Sequence, residues 1–599
     1  MFQTFETAGE RDKGPERLAA VRAAMAEAGL DALLVPRADA HQGEYVADRD
    51  ARLRWLTGFT GSAGFCVVTA DAAGIFVDGR YTVQVKEQVA YCFTPVPFPK
   101  VKAGDWLAEH LGQGARVGFD PWLHTRAEIE SLRDRLAPGI GVVPVEPNPV
   151  DAVWTDQPAP PQGPVRLFPD DIAGKTRAQK IEEICAALDA AGQHFAVLSL
   201  PDSIAWLLNI RGSDIPRNPV PHAFALIEAG TREVRLFIDA AKLGDLDLGL
   251  PLFPPESIVQ ALSQLSGPVR IDRDSAPYIF GHALEESGVE IAWASDPCLL
   301  PKARKTEAEI AATRLAHLRD GAAMCAFLQW LSETETRVLD GARVTEIDVV
   351  TALEGFRREA GAEDISFETI AGSGPHGAIV HYRVTHDTDR ALVAGEPLLV
   401  DSGGQYEDGT TDITRTVAIG APTDEQIAAF TRVLKGMIAL SRARWPKGLA
   451  GRDLDALARA PLWRHGLDYD HGTGHGVGVN LSVHEGPQRI SRISTTPLEA
   501  GMILSNEPGY YREGAFGIRL ENLVAVEPAH DLPGQDDREM LSFETLTWVP
   551  IDRRLIDVAA LSPGERAWID TYHAGVASRM AGRLTPEVAE WVGRATAPL

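Results

Sequence analysis

Apolar and polar positions along this chain switch between helical and strand periods in a repeating order. In "PERLAAVRAAMAEAGLDALLV" (15–35) a helical pattern runs into a strand pattern, and "LRWLTGFTGSAG" (53–64) follows. "AQKIEEICAALDAAGQHFAVLSL" (178–200) has the same order, and "IAWLLNIRGSDI" (204–215) follows it. Aligning Trp55 with Trp206 gives W-L-x-x-φ-x-G-S in both, with Phe59 or Ile210 as the apolar φ. Strand pairs come next in each, "FCVVTADAAGIFVDGRY" and "HAFALIEAGTREVRLFID". The shared order predicts a duplication, and helices alternating with strands predict α/β or α+β layers.

Beyond residue 303 the rhythm changes. Helical patterns occupy 305–335, 345–359, 423–444 and 452–465, with strand patterns and Gly-rich turns between and after them. "SPGERAWIDTYHAGVASRM" (562–580) reads as a helix opened by a Ser-Pro cap signal. A Pro-rich stretch at 142–165 reads as a linker, and a second break falls at "SDPCLLPKARKTEAE" (295–309). The expected segments are therefore 1–160 and 161–303, related to each other, then 304–545, then a C-terminal extension, 546–599, packed on the third.

Composition narrows the partners. The formal net charge is −26, which argues against nucleic acid and anionic membranes, both of which need basic patches. Cys66, Cys92, Cys185, Cys298 and Cys325 are scattered, with no CxxC pair, and read as reduced cytoplasmic thiols. The start of the chain lacks a basic stretch followed by an apolar one, so no signal peptide is expected. No run approaches the ~18 apolar residues of a membrane span.

Three stretches carry unusual carboxylates and imidazoles. In "LLVDSGGQYEDGTTDITRT" (398–416), Asp401 and Asp412 adjoin β-prone runs, where Asp is depleted. A two-residue turn at Asp408-Gly409 would set Asp401 opposite Thr416; pairing the aspartates needs a tip between Tyr406 and Glu407. Either the loop is wider than that turn or the strands stagger. "DYDHGTGHGVGVNLSVHEGP" (468–487) gathers His471, His475 and His484 among glycines that let backbone approach a ligand closely. In "GMILSNEPGYYREGAFGIRLENLVAVE" (501–527), a hairpin with its tip at Gly514 sets Glu507 opposite Glu521. Opposed like charges are destabilising and call for a cation between them.

Four carboxylates match the charge of two divalent ions. Such a pair can share a water and lower its pKa toward ~7, giving a hydroxide nucleophile at neutral pH. Oxygen-rich ligation with one imidazole and no thiolate favours Mn²⁺, Mg²⁺ or Co²⁺ over a structural zinc. The competing reading is a set of salt bridges to Arg383, Arg415 and Arg519, of which Arg519 shares a strand face with Glu521.

These stretches resemble the pita-bread metallopeptidases, a family that includes methionine aminopeptidase, prolidase and aminopeptidase P. The resemblance implies metal ligation by Asp401, Asp412, His475, Glu507 and Glu521, with Asp412 and Glu521 bridging two ions, manganese first and cobalt or zinc as alternatives. In "SGPHGAIVHY" it places His381 in the substrate pocket, in "HGTGH" it places His471 near the proline side, and in "VHEGP" it makes His484 a proton shuttle or stabiliser of the tetrahedral state. Catalysis is expected from His381, His484 and Glu507, and substrate contact from His381, His471, His484 and Arg519. The length and "AWLLNIRGSDIPRNPV" resemble the long three-domain cytosolic aminopeptidases P. That implies two tandem creatinase-N-terminal-like α/β domains before a pita-bread domain, hydrolysis of the N-terminal Xaa-Pro bond, peptides with proline at the second position as substrates, and a homodimer. Trp463 is a candidate surface aromatic or, equally, a core residue. Prolidase, with one N-terminal domain, creatinase, which lacks the ligands, and pseudo-peptidases that only bind are the alternatives.

Overall fold

The computed structural model describes residues 1–6 and 9–599. The chain forms two compact units, one of residues 8–302 and one of residues 303–599 with the first few residues of the chain.

The first unit contains two six-stranded mixed sheets with the same topology. In one, the strands run in the spatial order Thr94–Pro97, Ala73–Val77, Phe65–Thr69, Ala32–Pro36, Arg116–Phe119, Gly141–Pro144. In the other the order is Leu252–Phe253, Glu233–Phe237, Phe224–Glu228, Phe195–Leu198, Val269–Ile271, Ile291–Trp293. Both sheets combine a three-stranded antiparallel centre with parallel neighbours. The duplication expected from the Trp55 and Trp206 motifs is thus matched strand for strand. The entry helices, Gly14–Glu27 and Arg177–Ala190, correspond as well. The Pro-rich stretch departs from a bare linker: Gly141–Pro144 is an edge strand, and Pro149–Val153 is a helix packed on Gly14–Glu27. Proline is compatible with both, because an edge strand and a first helical turn have N–H groups without ladder partners.

In the second unit, helices Glu307–Leu339, Glu346–Glu359, Asp424–Ser441 and Gly451–Trp463 pack on antiparallel sheets. Thr306, Thr345 and Thr423 start three of these helices with capping boxes. Strand Pro397–Ser402 lies between Ile370–Ser373 and Ile413–Ala418. A six-stranded sheet carries Gly474–Gly476, Ile503–Asn506 and Asn522–Pro528. The tail helix Pro563–Met580 buries Ile569, Tyr572, Val576 and Met580 in the same core as Phe430, Leu434 and Ile518. Residues 2–5 also belong here and not with the segment that follows them. Gln3 takes a hydrogen bond from the Thr369 N–H at 2.8 Å, His386 N–H donates to the Phe5 carbonyl at 2.9 Å, and Phe5 is buried in the core beside Met324 and Tyr382. Trp463 is 43% exposed, which removes the core alternative for it. Among the described residues no helix is long and apolar enough to cross a membrane.

Candidate metal centre

The glutamates sit where the sequence arithmetic put them. Asn506 pairs with Asn522 and Gly509 with Arg519, so the register sets Glu507 opposite Glu521, with Gly514 at the tip in a left-handed conformation (φ +73°). Both lie at breaks between paired strands, which frees their carboxylates from the regular pleat.

The aspartates follow neither register computed from the sequence. Asp401 pairs with Thr414, and the short hairpin pairs Tyr406 with Gly409, so the turn is Glu407-Asp408. Asp412 is two residues from Thr414 and lies diagonally across from Asp401 on the same face. The strands therefore stagger. Gly409 serves packing instead of the turn: a Cβ there would meet the Ala316 Cβ of helix Glu307–Leu339 at 2.8 Å.

His475 comes from the short strand Gly474–Gly476. A Cβ on Gly474 would lie 1.9 Å from the Ser505 carbonyl oxygen, so glycine is what lets this strand lie against Ile503–Asn506. His475 Nδ1 is hydrogen-bonded to the Gly476 carbonyl at 2.9 Å, which turns Nε2 toward the carboxylates. Nε2 stands 3.4 Å from Asp412 Oδ2 and 3.8 Å from Glu507 Oε1. One donor atom each from Asp412, His475 and Glu521 lies within 4.8 Å of the others.

The unmet polar atoms fit a cation. Asp401 Oδ1, Asp412 Oδ1 and Glu521 Oε1 are buried without a hydrogen-bond partner. Each second oxygen is placed: Asp401 Oδ2 accepts from Arg519 at 2.6 Å, Glu521 Oε2 accepts from the Thr414 hydroxyl at 2.8 Å, and Asp412 Oδ2 faces His475. Buried carboxylate oxygens with no donor are costly and rare.

The electrostatics carry the same mark. Glu521 is pushed well above the usual carboxylate range, first by burial and then by Asp412, Asp401 and Glu507. Burial also raises Asp401, against the pull of Arg519 and with the push of Asp412. Burial pushes Glu507 up to about 6, opposed by His475 and Arg519 and assisted by Asp412 and Asp401. For His475 burial pulls down, but Asp412 and Glu507 outweigh it and hold the imidazole at about 9. A divalent ion would reverse each of these costs.

Arg519, expected against substrate, lies against the Asp401 carboxylate. It is 1% exposed and donates to Asp401, to the Tyr511 hydroxyl at 2.6 Å, to Thr414 at 3.2 Å and to the Val380 carbonyl at 3.3 Å. The reason is its strand position, which aims it under the Asp401 carboxylate. Its bond to Val380 also anchors the segment that carries half-buried His381. Of the salt bridges considered as an alternative, only Arg519 with Asp401 touches the cluster. Arg383 pairs with Glu368, and buried Arg415 reaches the Glu521 carbonyl and not its carboxylate.

His484 meets His475 edge to face at 4.3 Å. His471 turns Nδ1 to the Gly472 carbonyl at 2.7 Å and Nε2 to the Tyr511 hydroxyl at 2.9 Å. Tyr511 thus joins His471 to Arg519, a role the sequence reading did not give it. Arg459, also unassigned from sequence, donates to the carbonyls of Tyr469 and His471 at 2.7 and 2.6 Å and fixes the loop before His475.

Comparison with known proteins defines the class. Residues 311–528 match metallopeptidase family M24, and 539–599 match the C-terminal region of peptidase M24. Residues 17–153 and 156–309 each match a Creatinase/Prolidase N-terminal domain. The chain belongs to metallopeptidase family M24. Among its relatives, a probable Xaa-Pro aminopeptidase P of Laccaria bicolor is 39% identical over 98% of this chain and 93% of its own. Aminopeptidase P2 of Arabidopsis thaliana is 38% identical over 98% of this chain and 88% of its own. The crystal structure of X-prolyl aminopeptidase from Caenorhabditis elegans, described as a cytosolic enzyme with a di-nuclear active site, superposes with a TM-score of 0.92. It is 34% identical and covers 98% of this chain and all of that one.

Proposed function

We propose that this chain is a metal-dependent aminopeptidase that hydrolyses the bond between an N-terminal residue and a following proline. The observation that carries this reading is the convergence of Asp401, Asp412 and Glu521, each with an unmet buried oxygen, on His475 Nε2. Full-length similarity to Xaa-Pro aminopeptidases supports the choice of substrate.

In this reading Asp401, Asp412, His475, Glu507 and Glu521 hold two divalent ions, with Mn²⁺ first and Co²⁺ or Zn²⁺ as alternatives. When bound, the ions supply an activated water and polarise the scissile carbonyl. Glu507 accepts the proton of the attacking water at its carboxylate. His381 or His484 donates to the developing negative charge on the carbonyl oxygen. A histidine delivers a proton to the leaving proline nitrogen, which has no N–H in the substrate. His471, held by Tyr511, lines the proline side. The acidic pocket suits a cationic α-amino group and restricts cleavage to the first residue. We place the enzyme in the cytoplasm as a homodimer, with exposed Trp463 at the subunit contact.

The test strips the protein with chelator, restores Mn²⁺ and offers Arg-Pro-Pro and Arg-Ala-Pro, with products read by mass spectrometry. Metal-dependent release of Arg from Arg-Pro-Pro alone is the expected result. Cleavage of both peptides would remove the proline specificity, and cleavage of neither would leave a binding protein on a peptidase fold.

A further inference from the structure

The α/β unit holds a second convergence of ligating side chains. Asp39 follows strand Ala32–Pro36 of the first sheet, Asp50 ends the turn Asp48–Asp50, and His222 precedes strand Phe224–Glu228 of the second sheet. One donor atom from each lies within 4.8 Å of the others. The Asp39 side chain is 1% exposed, that of His222 11% and that of Asp50 15%.

Asp39 Oδ1 is accounted for by the N–H groups of His41 at 2.9 Å and Gly43 at 3.3 Å. Asp39 Oδ2 and His222 Nε2 are both buried without a hydrogen-bond partner. They face each other at 3.3 Å as a carboxylate–imidazole contact. The imidazole is locked in place. Its backbone N–H donates to Asp214 at 2.6 Å, and the His41 ring lies over it at 4.5 Å. His41 in turn has Nδ1 on the Ser199 carbonyl at 3.0 Å.

The local charges do not balance. Lys242 is matched by Asp214 at 2.7 Å, and Arg37 has Glu44 as its counter-charge. Arg52 donates to Asp50 at 3.0 Å and to both oxygens of Asp151 at 2.7 and 2.8 Å. Taken together, five carboxylates (Asp39, Glu44, Asp50, Asp151 and Asp214) meet three fixed cations (Arg37, which faces Asp39 as well as Glu44, Arg52 and Lys242), an excess of two negative charges among these groups. Excess charge in a buried site is destabilising unless paired or bound to a metal.

We propose that Asp39, Asp50 and His222 bind a third divalent transition-metal ion, built from none of the residues of the M24 centre. Two carboxylates with one imidazole suit Mn²⁺, Co²⁺ or Zn²⁺, while Ca²⁺ and Mg²⁺ take all-oxygen shells. The ligands come from both halves of the duplication, so the ion ties the two sheets of the unit together. The role is structural.

The test uses full-length Asp412→Asn/Glu521→Gln protein, stripped and then loaded with Co²⁺. Cobalt content and visible Co²⁺ absorption are compared with the same protein carrying His222→Gln in addition. The expected result is one fewer cobalt per chain and a loss of visible absorption on adding His222→Gln. Equal content with and without His222→Gln overturns the proposal and leaves His222 as a polar contact of Asp39 only. If His222→Gln fails to fold, anomalous diffraction from Co²⁺-loaded native crystals decides. A peak among Asp39, Asp50 and His222 supports the site, and a peak only at the M24 centre overturns it.

Discussion

Two buried carboxylate clusters in this protein treat their charge differently. In the catalytic unit, Asp401, Asp412, Glu507 and Glu521 crowd together with Arg519 as their buried guanidinium, and Asp401, Glu507 and Glu521 are all pushed upward. In the α/β unit, Asp39 is held down at about 2: burial opposes this, but His222, His41 and a backbone N–H outweigh it. The first cluster is strained by its own charge and depends on cations to relieve it. The second is half satisfied by the protein. A site built for chemistry keeps open, high-energy oxygens; a site that joins two layers spreads its charge over backbone N–H groups and imidazoles.

The largest break in that comparison comes from the carboxylates themselves. Glu521→Gln is expected to lower kcat/KM on the order of 10³-fold or more, with loss of bound metal measured on the same sample. Arg519→Gln leaves every ligand present but frees Asp401. It should cost about 10–100-fold in kcat or metal affinity, separable by titrating Mn²⁺ in the assay.

The metal-free protein sharpens the contrast through pH. Glu507 at about 6 and His475 at about 9 both lie above their unfolded values, so the native state holds more protons than the unfolded one. Their contribution to stability is full at low pH. It is lost as pH rises through about 6 for Glu507 and about 9 for His475. Chelated protein should therefore gain on the order of 2 kcal/mol from pH 8 to pH 5 in urea unfolding, and Mn²⁺-loaded protein should not. At the small end, Asp39→Asn should leave kcat/KM on Arg-Pro-Pro within about twofold, since it touches no reacting group. A larger loss would mean that the second cluster is not merely structural.

The sequence revealed these features unevenly. The glutamate hairpin was legible because a short turn centred on one glycine fixes its register. The aspartate hairpin was not, because Asp408-Gly409 looks like a turn while Gly409 is there to admit a helix. Arg519 was placed on the right face, but an arginine can reach several partners, and only the fold decides that it meets Asp401. Tyr511 stood inside a quoted motif, yet its bonds to His471 and Arg519 depend on three segments meeting. Asp39 and His222 were out of reach of any local pattern, being far apart in the chain and brought together by two sheets.

Phe5 and Gln3 pack with residues past 303, so the whole α/β unit is, topologically, an insertion near the start of the other unit. The order of synthesis then runs against the order of assembly. At about 5–20 residues per second, residues 2–5 leave the ribosome roughly 18–75 s before Thr369, Tyr382 and His386 exist. The α/β unit can fold in that interval, while residues 2–5 wait for Thr369, Tyr382 and His386 to emerge. The catalytic unit thus cannot be completed by growth from one end. It closes only when residues past 303 meet residues 2–5.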